Sequence, residues 1–182
     1  MASSLVEAGV TDYGREKAIE ETTRQERRVL NVETREPPVL FFEDFSEGQE
    51  LATITKGPML VGNQVRWAGA CDNYDSEWHH DEYVAKAAGL PGIILSGPLM
   101  ASYLLTAVTT DWLGKNARIV RFFDQNRGST MPRDLAHLKA KVKRTYEEGG
   151  KAYVEIDCSI VNQKGEVTTP GSALAVLPKR AR

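Results

Sequence analysis

A short polar stretch, residues 72–81, holds the side chains best suited to chemistry. It reads Asp72-Asn73-Tyr74-Asp75-Ser76-Glu77-Trp78-His79-His80-Asp81. Histidine titrates near neutral pH and a carboxylate can orient it or a water molecule, so His79 with Asp72 or Asp75 could form a general acid/base pair. The other interpretation is a polar turn whose carboxylates accept backbone amides. The residue types alone leave both interpretations open.

Neither a metal site nor a nucleophilic side chain is indicated. Adjacent His79 and His80 point apart on most backbones, and His137 alternates with lysines on the polar face of a strand, so we expect no metal. We expect His80 to be structural or to face solvent. No Gly-x-Ser-x-Gly elbow occurs, and Cys71 and Cys158 are interpreted as a buried small residue and a strand-face residue.

Length and composition predict one large core and exclude several partners. Of 182 residues, 41% are hydrophobic and 26% are charged, as in globular proteins. Lys and Arg total 23 against 25 Asp and Glu, and the positive charges are scattered, so we expect no nucleic acid partner. The longest apolar stretch, residues 95–108, is too short and too interrupted to span a bilayer. Without a signal-type N-terminus, the cytoplasm is the expected location.

Helical patterns flank the polar stretch and predict how it is held. The apolar run 60–71 predicts a helix that leads into it. Asp81 is placed to cap a short helix over 82–88. A longer helix over 99–113, opened by Pro98, carries apolar residues around most of its circumference, which predicts that it is buried.

After this helix the hydrophobic period changes to two, which is typical of strands. Strands are predicted at 119–123, 138–142, 152–160 and 173–177, with a short earlier one around 51–54. We interpret the lysine-rich face of the second of these as a solvated strand face. The result is an α+β fold in which an antiparallel sheet wraps around a single helix.

The chain divides at two prolines. Residues 1–38 are dense in charge and predict an extension that is helical or disordered, because Pro37 and Pro38 cannot continue a helix. Residues 39–178 form the predicted core domain, and residues 179–182 a tail.

Five segments, taken in order, resemble the MaoC-like hydratases of the hot-dog fold. They are Phe42-Glu43-Asp44-Phe45-Ser46-Glu47-Gly48, Arg66-Trp67-Ala68-Gly69-Ala70, His79-His80-Asp81, Ala87-Ala88-Gly89-Leu90-Pro91-Gly92-Ile93-Ile94-Leu95-Ser96-Gly97 and Met131-Pro132-Arg133-Asp134. The resemblance covers about residues 40–178. It implies a hot-dog domain that pairs edge to edge into a homodimer or higher oligomer, or with a related hot-dog subunit.

The resemblance also implies an activity, the reversible hydration of trans-2-enoyl thioesters to the R alcohol. Coenzyme A or an acyl carrier protein would carry the substrate, and no other cofactor is implied. Within the family, an Asp and a His hold the water between them. His79-His80-Asp81 matches the His end of that motif, whereas the Asp falls on Asn73 or Tyr74, depending on the direction of counting.

The flanking Asp72 and Asp75 are therefore both candidates for the catalytic carboxylate. The Ser96-Gly97 pair stands where the family has His-Gly. We expect Gly97 to hold the thioester oxygen at the helix start, and Ser96 to cap the helix or to contact the ligand. Tyr74 and Trp78 are further candidates for substrate contact.

The disturbed motif leaves room for other functions. One is a non-catalytic hot-dog subunit that binds an acyl thioester and completes a partner's site. Another is a hot-dog thioesterase with a carboxylate on the central helix, for which Asp111 lies too near the helix C-terminus.

Overall fold

Alternating residues build a sheet, and one apolar segment builds the helix that fills it. The computed structural model describes residues 36–72 and 76–181. The elements are, in chain order, β1 (Ile54–Lys56), α1 (Val61–Cys71), α2 (Glu82–Ala87), α3 (Gly97–Thr106), β2 (Arg118–Asp124), β3 (Ala136–Glu148), β4 (Lys151–Val161) and β5 (Val167–Leu177). Short 3₁₀ turns lie at Phe42–Asp44 and Glu77–His79.

The five strands form one antiparallel sheet in the order β1-β3-β4-β5-β2. Strands β3, β4 and β5 form a meander, with Val142 opposite Ile156 and Ile156 opposite Ala173. The inner face of this sheet is apolar, as the period of two requires. The predicted α+β architecture, an antiparallel sheet wrapped on one helix, is confirmed.

Helix α3 supplies the centre of the core. Leu104 is fully buried, and it lies so close to β5 that an ideal Cβ on Gly171 would be 3.2 Å from Leu104 Cδ2 and 2.6 Å from the Phe123 carbonyl oxygen. Glycine at this position therefore lets the helix and the edge strand approach β5.

The predicted helix over 99–113 differs from the structure in two ways. The α-helix begins at Gly97 and ends at Thr106, after which Ala107–Trp112 form a wider π turn. The hydroxyls of Thr106 and Thr110 donate to the carbonyls of Ser102 and Thr106, and such bonds widen and bend a helix. The helix also keeps an exposed stripe, which includes Pro98, Leu105, Thr106 and Asp111.

The short strand expected at 51–54 is wrong in its bounds, because the regular ladder covers only Ile54–Lys56. The preceding chain does follow β3, since Leu51 N donates to the Ala140 carbonyl and Glu50 bridges to Lys141. The ladder is interrupted between this bridge and β1. The pattern therefore indicated extended chain in this segment and missed the break in the ladder.

The outer face of the sheet is polar, as expected for its lysines. Lys139 and Lys141 are exposed. Buried Glu155 accepts from Arg144 Nε at 2.7 Å and from Lys143. Burial of Glu155 opposes ionisation, but these hydrogen bonds outweigh it and hold the pKa of the carboxyl below its ordinary value.

The prediction that Cys71 is buried is wrong. Cys71 is exposed as the last residue of α1, although its spacing places it on the same side of the helix as Gln64 and Ala68, which are buried. Cys158, on β4, is 5% exposed and packs in the core.

The sequence predicts an extension over residues 1–38, and residues 1–35 of it lie outside the described residues. The boundary between this extension and the core domain stays a prediction. Within residues 36–72 and 76–181, no helix is long and apolar enough to cross a membrane.

Candidate functional site

Helix α1 ends where the polar stretch begins. Asp72 caps its C-terminus in the left-handed conformation, with φ 50° and ψ 41°, and its backbone N–H donates to the Ala68 carbonyl. The carboxylate of Asp72 is exposed at this turn. The other two candidates in the loop, Tyr74 and Asp75, lie outside the described residues. The choice between the two carboxylates therefore stays open.

His79 is held by a backbone carbonyl. It ends the 3₁₀ turn Glu77–His79, is half-buried, and has its Nδ1 atom 2.8 Å from the Ile94 carbonyl oxygen. Because a carbonyl oxygen only accepts, Nδ1 must carry a proton and donate it. In the neutral ring the lone pair is then on Nε2, which is the state that a general base requires.

The segment from Ile94 to Gly97 is fixed from three sides. Leu95 N donates to the Thr130 carbonyl at 2.8 Å, and Ser96 N donates to Gln64 Oε1 at 2.9 Å. The Ile94 carbonyl accepts from His79. His79 and the start of α3 are thus linked through three residues of one pinned segment.

Ser96 caps α3, as expected. Its Oγ atom accepts from Leu99 N at 3.4 Å, and its carbonyl accepts from Met100 N. Pro98 has no N–H. Among the described residues, Gly97 N is therefore the one donor of the first turn without a recorded partner, and it lies at the positive end of the helix dipole.

Two neighbours of His79 have distinct positions. The Trp78 ring meets the imidazole edge-on, with centroids 6.0 Å apart, and is 39% exposed. Asp81 caps α2 as predicted, since its carboxylate accepts from Tyr83 N and Val84 N. This carboxylate is therefore engaged with the helix.

His80, which we expected to be structural or to face solvent, is exposed.

The Met131-Pro132-Arg133-Asp134 segment is structural. The Asp134 carboxylate accepts from Met131 N at 2.8 Å and from Gln163 Nε2 at 2.6 Å. Arg133 adopts the left-handed conformation, with φ 79°. These bonds close a turn at the entry to β3, so this motif shapes the fold rather than presenting a catalytic group.

Sequence reasoning missed two polar residues at the site. Gln64 is 1% exposed in α1, and a glutamine within an apolar run was a usable signal. Asn126 follows β2, and its carboxamide lies against Gly97. No local pattern marks Asn126, because its contacts are formed with distant parts of the chain. The described residues include no group of three or more His, Cys, Asp or Glu that could hold a metal ion.

Replacing Gln64 with methionine is expected to destabilise the protein by about 1–3 kcal/mol. The variant keeps the volume but removes the acceptor for Ser96 N, which leaves a buried N–H unpaired. Denaturant unfolding measures the loss. Val65→Ala, one residue along on the exposed side of α1, is the matched control and should change stability less. Equal stability of Gln64→Met and wild type would contradict the role of Gln64.

The fold is shared with a group of solved structures. A MaoC-like dehydratase from Rhodospirillum rubrum superposes with a TM-score of 0.68 at 22% identity, over 79% of this chain and 99% of that chain. The (R)-hydratase PhaJ1 from Pseudomonas aeruginosa superposes with a TM-score of 0.67 at 17% identity, over 78% of this chain and 88% of that chain. The ChsH1-ChsH2 complex from Mycobacterium tuberculosis matches with a TM-score of 0.63 at 18% identity, over 72% of this chain and 98% of that chain.

No protein-family model matches the sequence, and no curated protein matches it. At these identities the structural likeness concerns the fold. The chain has the hot-dog fold of MaoC-like dehydratases and (R)-hydratases, as its five sequence segments predicted.

Proposed function

We propose that this chain, which folds as MaoC-like dehydratases do, adds water reversibly to trans-2-enoyl thioesters. The observation that carries the proposal is the bond from His79 Nδ1 to the Ile94 carbonyl, three residues before Gly97. It joins a base with a free Nε2 lone pair to a helix start with an open N–H donor. Those are two of the groups that enoyl hydration needs.

Three groups take part in the proposed reaction: the His79 imidazole, one aspartate carboxylate and the Gly97 N–H. Water gives a proton to His79 Nε2 while its oxygen bonds to the β-carbon, and the carboxylate of Asp72 or Asp75 orients the water. Electrons move to the thioester oxygen, where Gly97 N–H stabilises the negative charge. The protonated His79 then gives its proton to the α-carbon. Dehydration is the same sequence in reverse and starts from the R alcohol.

The chain itself supplies the acid, the base and the donor. We therefore propose no resident cofactor, with coenzyme A or an acyl carrier protein acting as the substrate carrier. Ser96, Trp78 and Tyr74 remain proposed substrate contacts. The capping role of Ser96 leaves its hydroxyl occupied by Leu99 N, so it would reach a ligand only through its second lone pair or its proton.

Loss of the conjugated enoyl absorbance tests the activity. The purified protein should hydrate crotonyl-CoA or a longer or branched enoyl-CoA, and the matching acyl carrier thioester should be assayed beside it. Chiral analysis of the product should give the R alcohol. Absence of turnover with every enoyl thioester, by the protein alone and with the product of a neighbouring gene, would overturn the proposal.

The protein is also expected to form a dimer, with itself or with a related hot-dog subunit. Strand β2 is an edge of the sheet, and its Val120 and Phe123 are 48% and 56% exposed. An open apolar edge strand favours pairing with another strand. Light scattering at micromolar concentration should give a dimer or larger mass, and Phe123→Lys should weaken it. A wild-type protein that remains monomeric alone and beside a hot-dog partner would contradict this expectation.

The second candidate function is a non-catalytic subunit. The similarity to a chain of the ChsH1-ChsH2 complex favours it, because that complex is formed by two different proteins. In this alternative a partner supplies the Asp and His, and this chain binds an acyl thioester. The activity of the His79→Ala variant, reconstituted with a partner, distinguishes the two functions. Loss of activity supports the enzyme, and full activity supports the non-catalytic subunit. A hot-dog thioesterase is disfavoured, since Asp111 lies in the π turn at the C-terminal end of the central helix.

A further inference from the structure

Asn126 follows β2 in a connection that is fixed on both sides. Gln125 N donates to the Pro170 carbonyl at 3.0 Å, and Arg127 N donates to the Thr168 carbonyl at 2.8 Å. The backbone around Asn126 is therefore anchored to the start of β5. Its side chain projects from a set position towards the N-terminus of α3.

The two ends of the Asn126 carboxamide have different partners. Oδ1 accepts from Thr169 Oγ1 at 3.2 Å, and Thr169 is 1% exposed. Nδ2 lies against Gly97, where an ideal Cβ would collide with it and would be 2.9 Å from Asn126 Cγ. Because Thr169 holds the oxygen end, the NH₂ end faces Gly97.

This contact brings two open donors together. Nδ2 of Asn126 lies where a Cβ on Gly97 would stand, beside the residue whose backbone N–H is open. Within residues 36–72 and 76–181, neither Asn126 Nδ2 nor Gly97 N has a recorded hydrogen-bond partner. Asn126 is exposed, so its NH₂ group is accessible to a ligand at the helix start.

We propose that Asn126 Nδ2 donates to the thioester oxygen beside Gly97 N–H, as the second hydrogen-bond donor of the site. This inference rests on the proposed hydratase function. The thioester oxygen gains negative charge as water adds, so a donor aimed at it stabilises the transition state more than the ground state. Thr169 acts as a positioning residue, because its hydroxyl fixes which end of the carboxamide faces the ligand.

The proposal also explains why position 97 is glycine. A side chain there would displace the Asn126 carboxamide as well as block the ligand. Gly97→Ala keeps the backbone N–H but should displace the Asn126 donor, so its effect on turnover should not add to that of Asn126→Ala.

Asn126→Asp is the sharpest test. The carboxylate keeps the size of the side chain and an acceptor for Thr169, but it replaces the donor with a negative charge. We expect kcat to fall by at least about 10²-fold, with KM and the melting temperature little changed. Asn126→Ala should lower kcat by about 10²-fold. Thr169→Val should produce a smaller fall, because it loosens the carboxamide without removing it.

Gln125→Glu is the matched control. It makes the same amide-to-carboxylate change one residue away and keeps the acceptor for Arg127 Nε, so it should retain wild-type kcat. A second readout is the carbonyl stretch of a bound, isotopically labelled saturated acyl-CoA. Wild type should lower this frequency more than Asn126→Ala does, which a purely structural role would not produce.

The outcomes separate this inference from the proposed function. An active wild type whose Asn126→Asp and Asn126→Ala variants keep their kcat overturns the inference alone. A change confined to KM overturns it too, because the contact would then be equally strong in the ground state. A wild type without turnover on any enoyl thioester overturns the hydratase function and this inference with it.

Discussion

Replacing His79 with alanine should lower turnover of an enoyl thioester by about 10²- to 10⁴-fold, the usual contribution of a general acid/base. In the proposed mechanism the imidazole takes a proton from water and returns one to the α-carbon, so its loss would affect both halves of the reaction. Within the described residues the His79 side chain makes one hydrogen bond, to the Ile94 carbonyl, so we expect folding to be largely independent of this side chain. Steady-state kinetics measures turnover, circular dichroism measures folding and light scattering measures oligomer size, all on the same samples.

His80→Ala is the control for this experiment. His80 is the same residue type at the adjacent position and is exposed, so its variant should keep most of the turnover. Equal losses for the two histidines would contradict the assignment to His79.

A matched pair of variants, Asp72→Asn and Asp75→Asn, determines which carboxylate orients the water. One variant should be severely impaired and the other mildly, because only one carboxylate can orient the water. If His79→Ala and both asparagine variants keep full activity in a reconstituted complex, the chemistry lies in another chain. The protein would then be the non-catalytic subunit.

The second large effect is a loss of stability at alkaline pH through Cys158. Burial raises the pKa of this thiol from 9.0 to about 12, and the nearby charges of Asp157 and Asp124 add to the shift. The unfolded chain therefore loses the thiol proton at a lower pH than the folded chain. The stabilisation that this group provides is fully present below about pH 9 and is lost as pH rises towards about 12.

The size of the effect follows from linkage. At about pH 10.5, roughly one and a half pH units above the ordinary value, the folded protein should have lost roughly 2 kcal/mol through this thiol alone. Denaturant unfolding of wild type and Cys158→Ala, under reducing conditions at about pH 8 and about pH 10.5, measures it. The difference in unfolding free energy between the two proteins should shrink by this amount.

Cys71→Ala is the control for the alkaline experiment. Cys71 is exposed at the end of α1, so removing it should leave the pH dependence of stability as in wild type. A Cys158→Ala variant that loses stability with pH as steeply as wild type would contradict the role of the buried thiol.

The amino-acid sequence by itself determined the architecture. Its period of two over residues 138–142 and 152–160 predicted strands with one buried face. Strand β4 extends its range on the same face, whereas β3 has a bulge after Val142, so that Thr145 lies opposite buried Val154. The apolar circumference of the segment after Pro98 predicted the central helix. These signals are strong because burial of apolar area depends on which face of an element points inward, and local spacing fixes that.

The sequence also indicated a candidate site without completing it. Ser96 and Asp81 were readable as helix caps, because capping joins residues two or three positions apart. His79 was readable as a base by its residue type. Its tautomer was not, because the Ile94 carbonyl that fixes it lies 15 residues away in the chain.

Only the tertiary structure decided which distant side chains meet at the helix start. Gln64 reaches Ser96 across 32 residues, and Asn126 reaches Thr169 across 43. Such contacts form only when the sheet has closed around α3, and nothing in the local spacing of these residues depends on them. The physical reason is that a hydrogen bond depends on the position of two atoms in space to within a few tenths of an ångström, whereas sequence periodicity specifies only a face.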